Sequence, residues 1–231
     1  DNLEGGVTIY EPPYKTIDQQ VPVNMYIICH DPYAQSQSAD SSSLGSAYVI
    51  KRVNNISSPD DMIVASYVAR PHSQDEFNKN LFMLADYYNA RIGFENDRGE
   101  VIAYARRHRK LHRLQEEFEM LDKKDLRSKK VKRQYGMHMT EARKRQGEIY
   151  IRDWLNTIRS TNEDGTQVLN MHKIYDLALL QELIKFNHKG NFDRAMSLMV
   201  GMYHTREMYN SEVKEILEDN ASAEWFDNNR Y

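Results

Sequence analysis

Short apolar runs separated by turn residues dominate the first third of the chain. Residues 7–10 (VTIY), 46–53 (SAYVIKRV) and 62–69 (MIVASYVA) are rich in β-branched and aromatic residues, as is the start of YIICHDPYA at 26–34. Turn-forming residues or prolines follow these runs. The pattern predicts four short strands, and the last three follow one another as in an antiparallel meander.

The spacing of apolar residues changes to three and four after residue 73, which is typical of a helix. The apolar face of the predicted helix 73–89 consists of Phe77, Leu81, Leu84, Ala85 and Tyr88. Ser73 is a good N-cap, and Glu76 three residues later completes a capping-box pattern. Residues 92–94 (IGF) predict a short buried strand, and the residues from 99 to 113 predict another helix.

Helical spacing also predominates in the second half. Further helices are predicted at 142–159, at 177–187 and from 192 to about 206, with a brief strand at 168–171. Asp176 and Asn191 precede the last two helices as N-caps. Helix-linked strands after a meander indicate an α/β fold, with a mixed sheet of antiparallel and parallel strands flanked by helices.

The length of 231 residues fits one large domain, which we expect to span 1–217, followed by a polar C-terminal tail at 218–231. The single cysteine, Cys29, lies in an apolar run and is expected to be a buried small hydrophobe. We expect no membrane partner, because no run is apolar enough to span a bilayer and the first residues do not resemble a signal peptide. The chain opens without Met, which suggests a piece of a longer protein.

Charge is distributed unevenly along the chain. The formal net charge is −3, but residues 105–145 hold fifteen Lys and Arg against six Asp and Glu. Such a chain could present one basic surface to a polyanion such as DNA, although a solvated helix face is the usual fate of a charged run. Within this stretch the predicted DNA-binding residues are Lys144 and Arg145 first, with Arg143, Lys132 and Arg133.

Three carboxylates occupy positions where a catalytic site is expected. Asp31 ends an apolar run and is followed at once by a proline, so it is predicted at the carboxyl end of a central strand. Glu95 follows the next predicted strand. Asp193 lies in the first turn of the last helix, where the small residues Ser197 and Gly201 would let the helix lie close to the strand ends.

Converging carboxylates repel one another unless a cation neutralises them. Ligand sets made only of oxygen favour Mg²⁺ or Mn²⁺, and two such ions can activate a water and stabilise the leaving oxygen in phosphodiester cleavage. Each acid also has a structural interpretation: Asp31 as a loop cap, Glu95 as part of a turn, and Asp193 as a partner of the helix dipole.

Other chemistries are poorly supported. The chain contains neither the GxxxxGK[ST] loop of ATP-binding proteins nor a GxSxG motif. The apolar setting of Cys29 disfavours a reactive thiolate. His108 and His112 have the i, i+4 spacing of zinc ligands, but the sequence HRKLH is not HExxH.

Four segments between residues 7 and 205 together carry a family resemblance. They are YIICHDPYA with SLGSAYVIKR, then RIGFENDRGEVIAYAR, then QYGMHMTEARKRQGEIYIRDWL, then DLALLQELIKFNHKGNFDRAMSLMVGMY. In this order they resemble the nuclease domain of the large terminase subunit of tailed double-stranded DNA bacteriophages. In order, the four segments resemble the family's first two strands, its strand with the second acid and the following helix, its Tyr-Gly segment with the basic stretch, and its closing helices with the third acid.

The resemblance implies a ribonuclease-H-like fold and a metal-dependent endonuclease that cuts concatemeric phage DNA during genome packaging. By the family's motifs, the catalytic and metal-binding carboxylates would be Asp31, Glu95 and Asp193, with two Mg²⁺ or Mn²⁺ ions. Family members vary in their additional ligands, which leaves three acids open: Asp40, Asp97 and Asp176.

The same resemblance implies partners. A packaging ATPase domain would be joined at the amino-terminal side, and its absence from this chain agrees with the missing phosphate-binding loop. The portal and the small terminase subunit would be further partners, at the procapsid in the host cell cytoplasm.

Two rival functions remain open. A Holliday-junction resolvase, or another ribonuclease-H-like nuclease, would share the three acids and differ in binding branched DNA. A non-catalytic module could instead dock on DNA or on the portal through residues 105–145, and it would not need Asp31.

Overall fold

The computed structural model describes residues 5–32, 43–52, 61–96, 99–116, 135–186, 190 and 192–206. The centre of the basic stretch and the predicted tail at 218–231 lie outside these ranges. The predicted site residues that also lie outside them are Asp40, Asp97, Lys132 and Arg133.

A five-stranded mixed sheet forms the centre of the molecule. Its strands are β1 (Val7–Ile9), β2 (Tyr26–Asp31), β3 (Gly45–Lys51), β4 (Met62–Ala69) and β5 (Arg91–Phe94). Across the sheet they lie in the order β1-β4-β3-β2-β5. The predicted antiparallel meander of β2, β3 and β4 is confirmed, β1 adds to it antiparallel, and β5 pairs parallel with β2. The chain is therefore an α/β protein with a mixed sheet, as the sequence predicts.

Helices cover both faces of this sheet. The first face packs against α1 (Gln74–Tyr87) and α2 (Glu100–Arg107), and the second against α3 (Glu141–Leu155), α4 (Leu177–Lys185) and α5 (193–206). Alternate residues of β2 divide between the two cores: Tyr26 and Ile28 face α1, whereas Ile27 and Cys29 face α5. Both faces of the central strand are thus buried, which explains its continuous apolar run.

The predicted N-cap of α1, Ser73, is confirmed. The side chain of Ser73 accepts a hydrogen bond from the backbone N–H of Glu76, at 3.2 Å. The helix α4 likewise begins after Asp176, whose carboxylate accepts from the N–H groups of Ala178 and Leu179. Side chains at these N-caps satisfy backbone donors that would otherwise lack partners.

Two predicted helices are too long. The helix predicted to reach residue 113 ends at Arg107, because Arg109 adopts a left-handed backbone with φ of 55°, and a short 3-10 turn follows. The helix predicted to reach residue 159 ends at Leu155, and Ile158 begins a strand instead.

That strand, β6 (Ile158–Thr161), pairs antiparallel with β7 (Gln167–Leu169) in a separate hairpin. The sequence predicts only its second strand, and places it about one residue late. The Asn170 amide donates to the carbonyl of Trp154 in the last turn of α3, at 2.7 Å, which ties the hairpin to the end of that helix. Within the described ranges, no helix has the length and apolarity needed to cross a bilayer.

Candidate functional site

Asp31 and Glu95 lie side by side at the carboxyl ends of two parallel strands. The last registered pair of β2 and β5 is His30 with Phe94, and the N–H of Glu95 donates to the His30 carbonyl at 3.3 Å. The residues that follow this pair are therefore neighbours at the same edge. Both are partly buried. Since side chains alternate along a strand, both point to the face that carries Cys29, the face covered by α5.

Asp193 reaches this edge from the first turn of α5. Its carboxylate accepts a hydrogen bond from the Leu44 N–H at 2.7 Å and another from the Ser43 hydroxyl at 3.3 Å. Leu44 directly precedes β3, and Ser46 of β3 pairs with Asp31. The edge of the sheet at Asp31, Glu95 and Asp193, called the acid edge below, thus gathers all three predicted carboxylates.

Small residues let α5 approach the central strand. The hydroxyl of Ser197 donates to the Cys29 carbonyl at 2.9 Å. A Cβ on Gly201 would lie 2.8 Å from the Cys29 sulfur, closer than side chains pack. The predicted role of these two small residues is therefore confirmed. Cys29 is fully buried, as predicted, and burial raises the pKa of its thiol to about 12, which keeps it protonated.

The donor atoms at the acid edge suit a divalent cation of the Mg²⁺ or Mn²⁺ type, because they are carboxylate oxygens without nitrogen or sulfur. Among the described residues, however, no three His, Cys, Asp or Glu side chains lie close enough together to hold an ion. The fold brings the three acids to one edge, while the oxygens of Asp193 contact Leu44 and Ser43. In donor chemistry the set fits an ion, whereas the side chains as placed do not form a ligand cluster.

Asp176 has a structural role in this fold. One of its oxygens accepts the two N-cap hydrogen bonds of α4, and the other accepts the hydroxyl of the buried Tyr48 at 2.6 Å. Burial, followed by the charge of Asp176, raises the pKa of Tyr48 well above its usual value, so Tyr48 remains a donor. Asp176 is therefore tied to the start of α4 and to β3, whereas Asp193 is hydrogen-bonded beside the end of β2.

Arg70 is a charged residue of this edge that the sequence analysis missed. It follows the last residue of β4, and β4 runs in the same direction as β2, so their carboxyl ends lie at the same edge. Its Nη1 donates to the Ser43 carbonyl at 3.1 Å. The dipeptide Arg70-Pro71 at a strand end resembles Asp31-Pro32, and that likeness is the signal that could have identified it.

The basic residues on α3 begin close to the acid edge. Met137 forms a parallel bridge with Glu95, and the N-cap of α3 is Thr140, three residues further on. Arg143 donates from Nη1 to the His138 carbonyl, which holds the approach to the helix. Two neighbours continue the basic surface along the first turns: Lys144, which is partly buried, and Arg145, which is exposed.

Two histidines near the acid edge are buried. His30 points to the opposite face, where it stacks on Phe77 with ring centroids 5.1 Å apart, and burial lowers its pKa to about 4. His204 packs against Gly93, and burial lowers its pKa to about 3. Both imidazoles are therefore neutral near pH 7.

No protein-family profile matches this chain, and no curated protein matches it at a significant level. The assignment of a function therefore depends on the geometry of the acid edge and on the residue patterns themselves.

Proposed function

We propose that the chain is a metal-dependent DNA endonuclease with a ribonuclease-H-like fold, similar to the nuclease domain of phage large terminase subunits. The observation that carries this proposal is the acid edge. Asp31 and Glu95 end adjacent parallel strands, and Asp193 is hydrogen-bonded at the same edge from the helix across them. Acids from three distant parts of the chain lie at this edge.

The sheet supports the fold assignment within the α/β class. An antiparallel meander of three strands, followed through a helix by a parallel strand beside the first of them, is the arrangement expected of that fold. The chain also returns beyond β5, where Leu114 forms a further parallel bridge with Ile92. The site then lies at the carboxyl ends of parallel strands, the usual place for ligand binding in open α/β sheets.

In this proposal Asp31, Glu95 and Asp193 hold Mg²⁺ or Mn²⁺ and act as the catalytic carboxylates. A bound pair of such ions supplies an activated water and charge stabilisation for the leaving oxygen. Lys144 and Arg145 contact the DNA backbone, where they neutralise phosphates without reading sequence. Asp31 and Glu95 also exclude a phosphate from the edge until a cation offsets their charge.

The resemblance extends the proposal to a biological setting. The substrate would be concatemeric double-stranded phage DNA, cut during packaging at the procapsid in the host cytoplasm. The partners would be a packaging ATPase domain, the portal and the small terminase subunit.

Cleavage of supercoiled plasmid tests the proposal. We expect nicking and linearisation in Mn²⁺ or Mg²⁺, and none in Ca²⁺ or with a chelator. The variants Asp31→Asn, Glu95→Gln and Asp193→Asn should each lose at least a hundredfold in rate, because each removes a carboxylate charge from the site.

Asp18→Asn is the matched control. Asp18 is exposed in the turn before β2, whose amino end is at the opposite edge of the sheet. The control should cleave like the unmodified chain. Cleavage that survives in all three acid variants would refute the proposal, and DNA binding without cleavage under any metal would favour the docking module. Preferential cutting of four-way junctions would favour the resolvase.

A further inference from the structure

A second group of charged side chains lies directly beside Asp193. Arg194 follows it in α5 and donates from Nη1 to Glu182 of α4, at 2.8 Å. The Nε of Arg194 also lies 3.8 Å from the carboxylate of Asp176. These side chains expose only 15%, 20% and 13% of their surface, for Arg194, Glu182 and Asp176 respectively. Charged groups so deeply buried require partners, and here they are partners of one another.

Glu182 also binds the backbone at the start of α5. Its second oxygen accepts the N–H of Arg194 at 3.0 Å and the N–H of Ala195 at 3.3 Å. A carboxylate in this position satisfies N–H groups that have no partner within the helix and interacts favourably with the helix dipole. Because these amides immediately follow Asp193, Glu182 fixes the backbone that carries Asp193.

The group is anchored in the sheet through Asp176. Tyr48 of β3 is fully buried and donates its hydroxyl to Asp176, which in turn faces Arg194. Directly before β3, the backbone N–H of Leu44 donates to the carboxylate of Asp193. The β3 segment therefore positions Asp193 in two ways. Leu44 binds the Asp193 carboxylate directly, and Tyr48 acts on α5 through Asp176 and α4.

We infer that Glu182 and Arg194 are positioning residues that hold Asp193 at the acid edge. This inference rests on the proposed function, and it assigns Asp176 and Glu182 to the hydrogen bonding of the first turns of α4 and α5. The oxygens of Glu182 are engaged by Arg194 and by two backbone amides, and those of Asp176 by Tyr48 and the N-cap amides.

The test is a titration of Mn²⁺ against the melting temperature of the full 231-residue chain, together with plasmid cleavage. Loss of a residue that orients a metal ligand typically weakens metal binding by 10–100-fold. For Glu182→Gln we expect the half-saturating Mn²⁺ concentration to rise about tenfold, with cleavage recovering at high Mn²⁺. Arg194→Lys keeps the charge and should show a smaller rise.

Glu11→Gln is the matched control. It breaks the ion pair of Glu11 with Lys51, at 2.6 Å, which lies at the opposite end of β3 from Leu44. Like Glu182→Gln, it should lower stability by breaking an ion pair. Its half-saturating Mn²⁺ concentration, however, should equal that of the unmodified chain. A merely structural effect would lower both melting temperatures and leave both titrations unchanged.

The possible results separate the two proposals. If the unmodified chain responds to Mn²⁺ and Glu182→Gln titrates identically, the positioning role is overturned while the proposed function stands. If Glu182→Gln loses every saturable response, Glu182 is a direct ligand and the inference is again overturned. If the unmodified chain neither binds Mn²⁺ nor cleaves DNA, the proposed function fails, and this inference fails with it. If Glu182→Gln does not fold, the Mn²⁺ titration of Arg194→Lys is compared with that of Glu11→Gln, and this comparison decides the same question.

Discussion

The acidic residues near β2 differ in where the fold places them. Asp176 and Glu182 accept hydrogen bonds from backbone amides, a tyrosine and an arginine, in a buried setting. Asp31 and Glu95 lie instead at strand ends, where the parallel pairing of β2 and β5 forces them to be neighbours. Residues of the same chemical type thus divide into structural and candidate catalytic groups according to their place in the fold.

Neighbouring carboxylates at the acid edge should have a measurable cost in stability. With a chelator present, we expect Asp31→Asn to raise the melting temperature by about 1–3 °C, because it removes repulsion between like charges. In Mn²⁺ the unmodified chain should have the higher melting temperature, because ion binding stabilises it more than it stabilises Asp31→Asn. Differential scanning calorimetry in both buffers measures this effect, with Asp18→Asn as the control. An Asp31→Asn variant that melts like Asp18→Asn in both buffers would show that the acids do not interact.

At the scale of the elements, the position of α5 determines whether Asp193 can serve the site. The helix crosses β2 at close range, because Ser197 and Gly201 present a hydroxyl and a hydrogen where a larger side chain would collide. Glu182 and Leu44 then fix its first turn from two sides. The candidate site therefore depends on helix packing as much as on the acids.

Gly201→Ala should disturb this packing. Its Cβ would lie 2.6 Å from Cδ1 of Ile50 and 2.8 Å from the sulfur of Cys29, both in a buried core. Overpacking outweighs the gain in helix propensity, so we expect the free energy of unfolding to fall by about 1–2 kcal/mol. Urea unfolding measures the change.

Gly6→Ala is the control, because a Cβ at that position would have no atom within 4 Å. It should be near neutral or stabilising. Equal effects of the two substitutions would mean that α5 does not depend on the close approach at Gly201.

The elements also show how far the sequence could predict the fold. Alternation and β-branched runs identified the meander, and β4 was predicted with its observed bounds, Met62–Ala69. The end of α2 was missed because Arg109 adopts a left-handed backbone for which the sequence offers no glycine. The hairpin of β6 and β7 was missed in part because Ile158 continues the apolar spacing of α3, while a tertiary contact of Asn170 ends that helix.

The candidate site was predictable to a similar extent. Asp31 and Glu95 follow apolar runs that end in turn signals, and Asp193 lies in the first turn of a predicted helix, so their positions on these elements could be inferred from the sequence alone. Glu182 and Arg194 could not, because a partly buried ion pair between two helices has no sequence pattern that distinguishes it from surface charge. Arg70 is an intermediate case: its position directly after a predicted strand could be inferred, but its role at the acid edge was missed.

At the scale of the whole molecule, charge separates into an acidic edge and a basic stretch that approaches it along α3. Arg145→Gln and Lys144→Gln should each weaken binding of double-stranded DNA to a similar extent for all sequences. Each should also lower the slope of log affinity against log salt by about 1, because one phosphate contact is lost.

Lys79→Gln is the control for this measurement. Lys79 is exposed on α1, a helix on the other face of the sheet. Fluorescence anisotropy at several salt concentrations, in Ca²⁺, gives affinity without cleavage. If Lys79→Gln lowered the slope of log affinity against log salt by the same amount, the DNA would bind to a different surface.

The central claim is that Asp31, Glu95 and Asp193 form one divalent-ion site, and anomalous scattering from crystals soaked in Mn²⁺ tests it most directly. Such a map locates the ion independently of activity, of DNA and of missing partners. The account predicts an anomalous peak at the acid edge, with carboxylate oxygens of all three residues as ligands. A peak beside Asp176 and Glu182, or no peak at the edge in saturating Mn²⁺, would contradict it.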